Sequence, residues 1–439
     1  ISNGGISGNA SATPVPGGDY GYVDVKGGAA INITGSYTTE SDMVLTDTQL
    51  TVNGSLNLPK NLTLTNSTLN VSGTLSIPGN LSMNKGSLTL KDTLQVTGSI
   101  TLTNQSVLSH YGATTTTQWK LDITSSAVSI DATSKIDVSG KGYLGAWQGG
   151  NGSDTGRTNG NTNTGGSTGY NGGSYAGYGG VNGGSSNAVY GDLSNPNELG
   201  SGGSGQNYYN DWNWYGGNGG GLVRLTAGSL VLNGSIIADG GVSTRRGGGS
   251  GGGIRISTGS LSGSGTIYAR GGANTGSDNG AGGGGGRIAI YYDSNSLPVS
   301  NIVASGGKYY DGNTSSRNGG AGTIYLKDST KTKPDVIISN GGISGNASAT
   351  PVPGGDYGSV DMKGNAIIAM AGDLKPSTDL LISNSQVTVS GGLVAPGSLT
   401  LDNSSLNLSG AISVATTLAL KNQSVLSHYG ATTTTQWKL

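Results

Sequence analysis

The sequence predicts an all-β protein: a right-handed parallel β-helix (β-solenoid) of 19-residue coils, then glycine-rich coils with long loop insertions. Two observations carry that expectation. Between Met43 and His110 one pattern recurs every 19 residues, opened in turn by Met43, Leu62, Leu81 and Ile100. The second is a deletion that the pattern has survived. Residues 1–21 return unchanged as 338–358, an offset of 337, whereas residues 104–121 return as 422–439, an offset of 318. The offsets differ by 19, one whole coil. A stack of coils tolerates the loss of a turn because strand register is kept above and below the cut.

Residues 1–42 read as the entry coils of a repeat unit. Val23-Asp24-Val25 and Ile31-Asn32-Ile33 alternate as strands do, and Pro14-Val15-Pro16-Gly17-Gly18 reads as a corner. Residues 43–142 hold the regular coils and the link that follows them. Three apolar pairs recur in each coil: Leu62/Leu64, Leu69/Val71 and Leu75/Ile77, then Leu81/Met83, Leu88/Leu90 and Leu94/Val96, before Ile100 opens the next. An apolar–polar–apolar triplet puts both aliphatics on one face of a strand, so these side chains are expected to form a core ladder. Asn66-Ser67, Ser72-Gly73 and Pro78-Gly79-Asn80 supply the corners.

Strand alternation lapses over residues 143–221, which are rich in Gly, Asn, Tyr and Trp. This stretch reads as an insertion leaving a corner of the stack. Residues 222–337 form a second kind of coil, begun by Val223-Arg224-Leu225, Ile254-Arg255-Ile256, Ile288-Ala289-Ile290 and Ile324-Tyr325-Leu326. Paired glycines at 240–241, 271–272 and 306–307 precede loops such as 273–286, where backbone is expected to pack closely or turn through positive φ. Residues 338–439 begin the next unit, one coil shorter. The chain therefore reads as a window on a longer tandem array.

Composition narrows the function. Charged residues are 11% of the chain and net charge is −1, which speaks against nucleic acid as a partner. No apolar run is long enough for a membrane-spanning helix. There are 84 glycines, no Phe and no Cys. Lack of cysteine excludes disulfides and thiolate metal sites, and fits a bacterial surface protein.

Motifs for chemistry are weak. Gly248–Gly252 and Gly165–Gly169 both match G-x-S-x-G, but no strand–turn–helix surrounds them, and chance suffices in so glycine-rich a chain. His110 and His428, the two histidines, are repeat equivalents, and Glu occurs twice, at Glu40 and Glu198. Acid–base catalysis wants paired carboxylates, so no catalytic residue and no cofactor is assigned. For Ca²⁺ the sequence offers Asp278-Asn279 and Asp311-Gly312-Asn313, which read first as ordinary turns. Thr63-Ser82-Thr101 and Thr51-Asn70-Thr89 are expected to form outward ladders, a pattern shared by ice-binding faces and by ordinary exposed strands. The candidate contact surface is aromatic: Tyr208, Tyr209, Trp212, Trp214 and Tyr215, side chains suited to stacking on sugar rings or a neighbouring subunit. The bland alternative is that these rings fold inward as a small core of their own.

With 19-residue coils, glycine-rich coils and near-exact large repeats, the chain resembles the tandem-repeat β-helical surface proteins of bacteria. These are giant adhesins and filament-forming proteins of the filamentous-haemagglutinin type. The long Gly/Tyr/Trp insertion and the very large unit depart from that pattern. The resemblance implies an extracellular stalk, fibre or adhesin whose main partner is itself, end to end and laterally. The expectation is a structural repeat of a cell-surface filament; the alternative is an adhesin that binds surface glycans through the aromatic insertion. A polysaccharide-degrading β-helix and an ice-binding protein rank below both.

Overall fold

The structure is a computed structural model that describes residues 1–4, 12–21, 24–91, 93–208, 212–276, 279–310, 315–345 and 348–429. Among these the regular structure is strand, with two short 3₁₀ turns and no α-helix. The regular coils show why. Each contributes one short strand to each of three parallel ladders. Leu62–Thr65 pairs with Leu81–Asn84, which pairs with Ile100 onwards in Thr93–Thr103. Thr68–Val71, Ser87–Leu90 and Val107–His110 form the second ladder. Leu75–Ile77 and the start of Thr93–Thr103 belong to the third. Register steps by 19 residues, so Leu62, Leu81 and Ile100 lie opposite one another.

Side chains follow the pleat. Leu62, Leu64, Leu69, Val71, Leu75, Ile77, Leu81, Leu88, Leu94 and Ile100 are all buried in one apolar cluster. Corners repeat with the same period. Asp47, Asn66, Lys85 and Asn104 have positive φ between 46° and 55°, and Asn66 Nδ2 donates to Asp47 Oδ1 at 2.6 Å. Asn and Asp tolerate this left-handed conformation and hydrogen-bond along the stack, which explains their choice. Just inside two of these corners a buried serine, Ser67 or Ser106, accepts from the backbone N–H of the coil before it.

The ladders run on through the second kind of coil. Ile123 pairs with Leu225, Leu225 with Ile256, Ile256 with Ile290 and Ile290 with Leu326. One sequence expectation is corrected at the entry. Thr13–Tyr20, which contains Pro14–Gly18, is a strand and not a corner; it pairs in parallel with Ala30–Thr39, with a bulge between Pro16 and Gly18. Among the described residues it pairs with this strand alone, the edge position in which sheets accommodate proline. Val23 lies outside the described residues.

Residues 141–322 hold the larger correction. The glycine-rich stretches outside the strands do not hang from the stack as loops. They lie side by side as a second core with almost no side chains. Residues 247–252 are buried, and their N–H groups point to three neighbours in rotation. Gly247 and Ser250 donate to Ser204 and Ser201, Gly248 and Gly251 to Ala281 and Gly284, Gly249 and Gly252 to Gly241 and Ala238. Residues 282–286 repeat the scheme: Gly282 and Gly285 donate to Arg317 and Gly320, Gly283 and Gly286 to Gly272 and Ala269, Gly284 to Gly173. A partner that recurs every third residue matches the three-residue turn of a polyproline-II backbone, whose amides otherwise face water. Here each is paired with a neighbouring segment, as buried backbone requires.

Close approach explains the glycines. A Cβ on Gly249 would lie 1.9 Å from Asn218 O, and one on Gly247 1.8 Å from Asn171 O. Neither residue has positive φ, so space and not backbone conformation selects glycine there.

At the junction between copies the chain reverses. Thr323–Asp328 pairs antiparallel with Asp335–Ser339, and Asp335–Ser339 then pairs in parallel with Val360–Lys363. Ile324, Leu326 and Ile337 face the first apolar cluster, whereas Val336, Ile338, Val360 and Met362 belong to the second. Asp335–Ser339 is thus buried on both faces, and the core passes from one side of the shared sheet to the other.

Candidate contact surface

The aromatic candidates sit on a hairpin at the rim of the glycine core. Gln206–Tyr208 pairs antiparallel with Trp212–Trp214, which sets the backbone of Tyr208 opposite Trp212; Tyr209 lies outside the described residues. The two strands emerge from buried backbone at Ser201–Gly205 and Gly216–Gly217. Trp214 is half-buried because its ring lies on a guanidinium: Arg246 Cζ is 3.8 Å from the ring centroid. The same guanidinium stands 4.4 Å from the Tyr170 ring, and Arg246 is 1% exposed. Its Nη2 donates to Gln206 Oε1 at 3.1 Å, which ties the charge to the first strand of the hairpin. Arg245 approaches Trp214 at 5.5 Å. Stacked, desolvated cation–π contacts of this kind are worth up to about 2 kcal/mol each. Tyr215 is exposed and is the ring on this hairpin that offers itself to solvent most openly among those described.

Other aromatics of the 143–221 stretch turn inward. Tyr143 and Tyr175 are buried. Tyr175 donates to Glu198 Oε2 at 3.1 Å, and Tyr190 donates to Leu199 O at 2.6 Å. Arg287 donates from Nε and Nη2 to Tyr190 O at 2.9 and 2.7 Å. Burial pushes the Tyr143 hydroxyl up to about 12 and those of Tyr175 and Tyr190 well above the ordinary tyrosine range. Burial likewise lowers Arg287. These hydroxyls act as hydrogen-bond donors that close the core. Sequence reading missed this network and the role of Arg246, since neither has a spacing that marks it.

The remaining candidates separate. Glu40 is exposed on an entry coil, whereas Glu198 lies in the tyrosine network. His110 is buried, while its equivalent His428 is exposed. Leu222 N–H donates to His110 Nε2 at 3.2 Å, so the ring's proton sits on Nδ1, 2.6 Å from Tyr111 O. Desolvation holds this imidazole neutral, with its pKa pulled down to about 4. Thr63, Ser82 and Thr101 align in register, as do Thr51, Asn70 and Thr89. Among the described residues no three His, Asp or Glu side chains gather as a cation cage. Asp278 and residues 311–313 lie outside the described residues. No described helix is long and apolar enough to cross a membrane.

No family model and no curated protein matches this chain. Among solved structures it is similar to the C-terminal domain of Tapirin from Caldicellulosiruptor kristjanssonii. Identity is 10%, 96% of this chain and 92% of that one are covered, and the TM-score is 0.19. A likeness so slight bears on neither fold nor activity.

Proposed function

We propose that the chain is a structural repeat of an extracellular, cell-surface filament, its three ladders closed into a right-handed β-solenoid. The observation that carries this reading is the junction: one sheet passes without a gap from the first copy into the second. A sheet shared between units transmits load through backbone hydrogen bonds, which suits a fibre. Identity of the stretches that return unchanged, 1–21 and 104–121, suits lateral contacts that must recur at every unit. The bacterial surface filaments that the sequence resembles supply the location. Negative-stain microscopy of the native material tests the proposal: rods with a regular axial spacing support it, and compact monodisperse particles refute it.

A second reading, a glycan-binding adhesin, is favoured by Tyr215 and the half-buried Trp214 on the hairpin. A glycan array with Trp212→Ala and Trp214→Ala separates the two. Binding lost with rods intact favours the adhesin; no binding by either chain leaves the filament.

A further inference from the structure

Two identical stretches sit in different surroundings. Thr350–Tyr357 repeats Thr13–Tyr20 residue for residue, and each pairs in parallel with the long strand that follows, in the same register, bulge included. Thr350 and Val352 are fully buried and Tyr357 nearly so, whereas Thr13 is exposed and Val15 and Tyr20 are half-covered. Ile338 is buried, but Ile1 is 51% exposed. Those two residues hold the same rung, because Ser2 bridges Lys26 as Ser339 pairs with Lys363. Sequence and local pairing are equal, so the difference lies in what covers them.

In the second copy the cover comes from the first. Thr350 Oγ1 donates to Ala321 O at 2.6 Å. Leu193 and Ala321 share an apolar cluster with Val352 and Tyr357, and Tyr325 packs against it. Val336 lies two residues before the segment that the two copies share, and it pairs with Val360. Among the described residues the corresponding face of the first copy is open, with a cleft of about 260 Å³ lined by Ile1, Val15, Tyr20, Val25 and Tyr37.

We infer that the face carrying Ile1, Val15 and Tyr20 is the docking surface for a preceding copy of the same unit. That copy covers it with its own counterparts of Leu193, Ala321, Tyr325 and Val336. The inference rests on the tandem-filament reading and adds the geometry of its joints. Strand direction reverses and the core changes face at the junction, so each unit is turned about half a turn around the stacking axis relative to the last. The array then repeats every second unit. A separate molecule is a poor occupant, because its Ala321 and Tyr325 are already covered by its own second copy.

Because the chain has no cysteine, Thr13→Cys installs a single thiol on this face. Its maleimide labelling is measured in the full chain and in the full chain preceded by one further copy of residues 1–337, the thiol then lying in the middle copy. Cover should slow labelling by at least about tenfold, to the rate of Thr350→Cys in the full chain, because reaction would then wait for local opening. Equal rates in the two chains overturn the inference. Ala321→Asp in the added unit, with strand content unchanged by circular dichroism, should restore fast labelling; if it stays slow, the cover is not the one named. Labelling of the full chain that slows as its concentration rises would overturn the in-line assignment. A protected thiol without regular rods in micrographs would sink the filament and spare the joint, and the converse would do the reverse.

Discussion

The regular coils and the glycine core solve one problem in opposite ways. Around Leu62–Thr65 the interior is filled by aliphatic side chains, and each strand bonds to two neighbours on one ladder. Around residues 247–252 the interior is backbone itself, with N–H groups sent to three different segments. The first arrangement gains stability from buried apolar area. The second buries little such area, and rests on a paired amide at each step and on close backbone contact. The difference teaches that the two regions should fail differently. Coils should forgive a small change of side chain, whereas the glycine core should not forgive a methyl group.

The largest effect is expected at Gly319. Its Cβ would fall 1.9 Å from Gly283 O, whereas a Cβ on the adjacent Gly320 has its nearest atom, Tyr178 N, at 3.4 Å. Backbone cannot rotate away as a side chain does, so Gly319→Ala should cost about 4 kcal/mol or more. Gly320→Ala should lie within about 1 kcal/mol of the parent. Urea titration of both variants checks this; equal costs would break the distinction between the two cores.

Next comes a pair of repeat equivalents in the coils. Leu102 is fully buried beneath the following coil, and its counterpart Leu420 is 50% exposed. Leu102→Ala should cost about 3–4 kcal/mol, and Leu420→Ala no more than about 0.5 kcal/mol. Similar losses at both would mean that the coils do not stack as described.

His110 sharpens the boundary between the regions, since it accepts from Leu222 at the first glycine-rich coil. Its folded pKa is depressed to about 4 from 6.5. Above pH 6.5 both states are neutral and its contribution is fully present. As pH falls towards 4 the unfolded state gains a proton that the folded state refuses, so stability drops, by at most about 3 kcal/mol. His110→Gln should flatten the profile in that window. The smallest effect is expected at Arg246→Lys, which gives up the planar stack on Trp214 and Tyr170. A loss of about 1–2 kcal/mol and a shift in tryptophan emission would register it.

Sequence reading reached these two regions unequally. Leu62, Leu81 and Ile100 announce their ladder because a buried aliphatic recurring every 19 residues has few other meanings. Gly249 and Gly283 announce nothing alone, since glycine serves loops and tight packing equally well. Their partners also lie up to about a hundred residues away in the chain, as Gly284 and Gly173 do. A faint signal was present: small residues keep a three-residue phase, as in Ser201 and Ser204, and charge is missing from 247–253 and 280–286. The contact surface was legible only in part. A cluster of rings can be seen in a sequence, but that Arg246 would pin Trp214 while Tyr143 and Tyr175 turned inward depends on contacts between distant segments.

Residue-resolved amide exchange tests the two-core description most directly. Amides of residues 247–252, which lie in no strand, should exchange as slowly as those of Leu62–Thr65. Exchange of the glycine amides at the rate of an open loop, with the Leu62–Thr65 amides still protected, would contradict it.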